Sequence, residues 1–66
     1  MEVKIEKCLT EPDCVLISNQ SNTFRLQVPI WPEVETILNG RPKVYVDLDI
    51  SDGLVFINQE IHPQNW

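Results

Sequence analysis

The sequence has little of what usually builds a chemical site. Its two glycines, Gly40 and Gly53, each stand in a turn context, so no glycine-rich loop is available to cradle a phosphate. Its single histidine, His62, has no second histidine or cysteine near it in sequence and reads as a surface residue at a strand end. Two cysteines, Cys8 and Cys14, are too few for a disulfide framework and fit no zinc-ligand spacing. Positive charge is also scarce: 5 Lys and Arg stand against 10 Asp and Glu, a formal net charge of −5, which repels polyphosphate and anionic lipid. No apolar run approaches the roughly 20 residues of a membrane span. The opening stretch MEVKIEKCLT alternates charge with aliphatics and lacks the continuous apolar segment of a secretory signal. These absences lead to the expectation of a cytoplasmic protein. Its cysteines would then stay reduced, and its glycosylation-like triplet Asn19-Gln20-Ser21 would have no use.

At 66 residues the chain is one domain. A domain of this size buries only about 60% of the surface its unfolded chain exposes, so partner binding or self-association would add to a marginal stability. Aliphatics and aromatics are plentiful enough for a core.

The clearest local signal is KVYVDLDISDGLVFINQEI, Lys43 to Ile61. Asp52-Gly53 between alternating runs predicts a hairpin closed by a type I′ turn, whose two central residues need positive φ. That turn predicts the pairs Ile50–Val55, Leu48–Ile57, Val46–Gln59 and Val44–Ile61 on an almost wholly apolar face. Asp49–Phe56, Asp47–Asn58 and Tyr45–Glu60 then fall on the other face.

Upstream, Glu2 to Leu9 reads as a strand with Val3 and Ile5 facing inward. A bulge near Glu6-Lys7 would bring Cys8 to the same inner face. Thr10-Glu11-Pro12-Asp13 is a turn, and Cys14 to Ser18 is a strand apolar on both faces. Asn19 to Asn22 forms a loop, and Thr23 to Val28 alternates as a third strand, with Ile17 expected opposite Phe24 and Val15 opposite Leu26. In this register Cys8 lies inside and Cys14 outside, too far apart in direction for a disulfide. Cys8 is then a small core hydrophobe, and Cys14 has no evident neighbour to activate it.

Ile30 to Asn39 changes period: Trp31, Val34, Ile37 and Leu38 form the stripe of a short amphipathic helix. Pro32 and the acids Glu33 and Glu35 suit its first turn, and Asn39-Gly40 with Pro42 its end. Trp31 belongs to the apolar stripe, which makes it a core plug. The resulting fold class is all-β with one short helix, a small five-stranded antiparallel barrel of β-β-β-α-β-β order. It is OB-like, with an SH3-like barrel second and a twisted sheet carrying the helix on one face third.

Asp47, Asp49, Ser51 and Asp52 have the oxygen-rich look of a calcium loop. The glycine comes one position late, however, and Asn58 stands where a bidentate Glu belongs. As general acid and base, Asp47 and Asp49 would sit about 7 Å apart, in a domain too small for a deep cleft. The expectation is therefore no metal, no cofactor and no enzyme.

What remains is the outer face of the sheet, where aromatics mix with polar groups. Tyr45, Asp47, Asp49, Leu54, Phe56 and Asn58, with the C-terminal Trp66 as a further anchor, are the candidate contacts of a small acidic protein-interaction module. The alternative is a single-stranded nucleic-acid binder stacking bases on Tyr45 and Phe56. The flanking Asp47 and Asp49 oppose it, since only Arg25, Arg41 and Lys43 could make a basic strip. Homodimerisation through strand edges is compatible with either reading.

Overall fold

The computed structural model describes residues 1–62. It contains strands β1 (Glu2–Lys7), β2 (Cys14–Ser18) and β3 (Arg25–Pro29), helix α1 (Pro32–Leu38), then β4 (Lys43–Ser51) and β5 (Leu54–Ile61). The strands form one antiparallel sheet of order β3-β2-β1-β4-β5, curled into a half-barrel. The expected element order and fold class hold. The β1–β4 pairing, which a simple meander lacks, gives the sheet the OB-like arrangement, with β3 and β5 as its edges.

Alternation on β1, β2 and β4 decides the core. Val3, Ile5, Val15, Ile17, Val44, Val46 and Leu48 project to the inner face and are buried. Val34 and Leu38 of α1 join the same cluster, with Phe24, Val28, Ile30, Trp31, Ile37, Val55 and Ile57 packed around it partly buried. Trp31 is thus part of the core rim, as its place in the stripe predicts, and it is also the extended N-cap residue that precedes α1.

A seven-residue helix is too short to persist alone. At its start the fixed φ of Pro32 replaces a side-chain cap. At its end Asn39 (φ 50°) and Gly40 (φ 80°) turn left-handed. Arg41 finishes the cap: its Nε donates to the Leu38 carbonyl at 3.1 Å and its Nη2 to the Ile37 carbonyl at 2.6 Å. The same guanidinium is ion-paired with Glu60 of β5, which ties the helix end to the last strand.

Asp52 (φ 53°) and Gly53 (φ 77°) make the expected turn. The predicted register holds from Ser51–Leu54 through Leu48–Ile57. It then breaks at a bulge opposite Asp47/Leu48, where β5 carries an extra residue, and Asp47 pairs with Gln59, Val46 with Glu60 and Tyr45 with Ile61. Consequently Glu60 leaves the outer face and Ile61 joins it.

Other expectations are also corrected. β1 has a regular register, so the bulge predicted at Glu6-Lys7 is not there, and Cys8 stays in phase with the outward Glu6. β3 begins two residues later than expected, pairing Ile17 with Leu26 and Val15 with Val28. The intervening turn runs from Asn19 to Phe24 and is held by Asn19, whose Oδ1 accepts from the Phe24 N–H at 3.2 Å. Two residues of inward parity, Leu26 and Ile50, are 39% and 48% exposed, because one lies on an edge strand and the other beyond the reach of the helix.

Leu38→Ala should cost about 2–5 kcal/mol by urea denaturation, since it empties a fully buried position under the helix. Arg41→Ala should cost about 1 kcal/mol, the worth of charge-assisted capping at a partly exposed site. Glu60→Gln should cost less than Arg41→Ala because the two carbonyl contacts of Arg41 survive it.

Candidate interaction face

The outer face is a set of cross-strand rows. One row runs Arg25, Ser18, Lys4, Tyr45, Ile61 from β3 to β5. The neighbouring row toward the hairpin tip contains Glu2, Asp47 and Gln59. Beyond it come Asp49 opposite Phe56 and Ser51 opposite Leu54. The face therefore grades from a row with two cations, Arg25 and Lys4, to an acidic and apolar tip.

Asp47, Asp49, Leu54, Phe56 and Asn58 are brought together at that tip. Phe56 is 49% and Leu54 60% exposed, so both rings and aliphatics stand in water as the sequence predicts. Asp49 accepts from Asn58 Nδ2 at 2.9 Å across the strands. Asn58 sits at the bulge, which turns it toward Asp49 instead of squarely opposite Asp47.

Asp47 is held differently. The Met1 ammonium donates to its Oδ1 at 2.9 Å and to the Leu48 carbonyl at 2.8 Å, while the Leu48 N–H donates back to the Met1 carbonyl at 2.9 Å. Hydrogen bonding to that ammonium holds the Asp47 carboxyl below its ordinary value, and Asn58 adds to the effect. The same bond raises the Met1 amine, with further help from Asp49 and Glu2.

Tyr45 is half-buried and lies four residues along β4 from Asp49, about 13 Å away at the rise of a strand. It is thus flanked by Lys4 and Ile61 and is not part of one aromatic patch with Phe56. Trp66 lies outside the described residues. Glu2, Lys4, Gln59 and Ile61 are face residues that the sequence did not nominate. Glu2 and Lys4 reach it through the β1–β4 pairing, and the other two through the bulge.

Among the described residues no group of three or more His, Cys, Asp or Glu side chains is placed to hold a metal ion, and no helix is long and apolar enough to cross a membrane. His62 is exposed at the end of β5, 3.8 Å from Glu60.

The Met1–Asp47 pair predicts a pH dependence. Asp47 is lowered from 3.8, so its contribution is present above that value and lost as pH falls through the folded value. The amine is raised from 8.0, so its contribution is present below 8.0 and lost as pH rises through its folded value. Thermal stability should therefore be greatest between about pH 4 and 8. Asp47→Asn should flatten both limbs of the profile measured by circular dichroism, and a profile identical to the parent chain's would remove the pair from the account.

No family model matches the chain, and neither a curated protein nor a solved structure matches it.

Proposed function

We propose that this protein is a non-enzymatic interaction module that binds another protein through the outer face of the β4–β5 hairpin. The observation that carries the reading is the pair of exposed apolar side chains, Phe56 and Leu54, set beside the carboxylates of Asp49 and Asp47. An aromatic and an aliphatic group give buried area at low entropic cost, and the flanking carboxylates steer and orient. The partner surface that suits this tip has an apolar pocket rimmed by Lys or Arg. Asn58, locked to Asp49, keeps its carbonyl oxygen for a further donor.

The nucleic-acid reading draws on a different part of the same sheet. Tyr45 lies in a row with Lys4 and Arg25, the company in which an aromatic stacks a base beside a phosphate. Glu2 and Asp47 border that row, and the net charge of −5 opposes a polyanion. Protein binding at the hairpin tip is the better-supported function.

Two variants test it by affinity capture from native lysate. Phe56→Ala and the double change Asp47→Lys with Asp49→Lys should each remove the same protein from the material that the parent chain retains. The loss should exceed tenfold for Phe56→Ala, about the effect of truncating an interface anchor. Retention of the same proteins by both variants would overturn the proposal. Low-salt binding of an oligonucleotide at micromolar affinity, abolished by Tyr45→Ala, would transfer the function to the other row.

A further inference from the structure

The two cysteines face each other. The β1–β2 ladder runs from Lys4–Ser18 to Lys7–Val15, and one further step sets Cys8 opposite Cys14. The Cys8 N–H donates to the Cys14 carbonyl at 3.2 Å, which confirms that step. Residues directly opposed in an antiparallel ladder project to one face, with Cα atoms about 4.5–5.5 Å apart, inside the range that a disulfide spans. Glu6 and Leu16, the pair two steps inward, share that face. The absence of a bulge in β1 is what brings the sulfurs to the same side.

The surroundings differ for the two thiols. Cys8 lines an open cleft of about 280 Å³ with Glu6, Lys7, Leu9 and Leu16. Cys14 donates its S–H to Glu11 Oε2 at 3.2 Å, and Gln27 Nε2 donates to the same oxygen at 3.5 Å. Both residues are half-buried, and both are free thiols. The turn between them, Leu9 to Asp13, lies at the end of the sheet, where the ladder is not continued and can adjust.

We infer that Cys8 and Cys14 are a dithiol that closes to an intramolecular disulfide by exchange with a low-molecular-weight disulfide. Cys8, which opens to the cleft, attacks first as the thiolate. A Cys8–S–S–R bond forms, the S–S bond of the oxidant breaks, and the departing RS⁻ thiolate takes up the proton that Cys8 lost. Cys14 then passes its proton to the Glu11 carboxylate, and its sulfur attacks Cys8 Sγ. The Cys8–SR bond breaks, and the second RS⁻ leaves with the proton held by Glu11. Two protein thiols are oxidised and one external disulfide is reduced to two thiols. Hydrogen bonding to Glu11 also raises the Cys14 thiol above its ordinary value.

The test uses the reduced full chain and oxidised glutathione, with N-ethylmaleimide as quench, read by intact mass and non-reducing electrophoresis. The expected product is a monomer lighter by two hydrogen atoms, closed to maleimide and restored by dithiothreitol. Its Tm should rise by about 10 °C, as expected for a cross-link over a short loop in a small domain. Cys14→Ser should stop at a glutathione adduct on Cys8. Glu11→Gln should form that adduct at the parent rate and close the ring about tenfold more slowly, the loss of a positioned base. Persistent glutathione on both cysteines, a covalent dimer as the main product, or ring closure in Glu11→Gln at the parent rate would each overturn the inference.

Discussion

Everything in this fold depends on one strand, β1, lying between two hairpins. The β2–β3 and β4–β5 pairs share no ladder, and β1 is hydrogen-bonded to both β2 and β4. Its inward residues Val3 and Ile5 are fully buried, and each is an anchor for both halves of the core. The pairing of Glu2–Glu6 with Lys43–Asp47 closes a loop of about 40 residues, which carries a large entropic cost before any contact rewards it. Burial of those two aliphatics, the neighbouring β4 residues and the underside of α1 offsets that cost. Without β1 two isolated hairpins would remain, and isolated hairpins are marginal in water.

The remaining devices serve the same closure. α1 contributes only Val34 and Leu38 as fully buried groups, yet they join the core cluster of the sheet's inner face, where the helix packs against β4. Arg41 holds the helix end and, through Glu60, the far end of β5. The bulge makes that clamp geometrically available, since it turns Glu60 off the outer face. It also leaves Asn58 beside Asp49 and brings Ile61 next to Tyr45, so a single extra residue in β5 shapes both the helix anchor and the candidate interaction face. The cost of a one-sided core shows at its margins, where Leu26 and Ile50 keep large exposed areas.

Local signals carried far in this chain. The Asp52-Gly53 turn, the helix with its Pro32 start and Asn39-Gly40 end, and the alternation of β1, β2 and β4 were all legible, and with them the exposure of Phe56 and Leu54. Each rests on neighbours in sequence: turn dihedrals, the 3.6 and 2 residue periods, and proline's fixed φ. The element order followed from the same signals.

Parts of the strand registers were not legible, even between strands adjacent in sequence, for two physical reasons. A slip of two residues leaves every side chain on its original face, so hydrophobic alternation cannot distinguish Ile17–Phe24 from the observed Ile17–Leu26. A polar run such as Asn58-Gln59-Glu60 has no apolar phase to pin, so nothing local marks the extra residue there or forbids one at Glu6-Lys7. The sequence alone therefore determined the elements and the hairpin tip. Tertiary pairing decided that Glu60 reaches Arg41, that Lys4 lies beside Tyr45 and that Cys8 meets Cys14, because only the packed sheet chooses among registers that the residue pattern leaves equal.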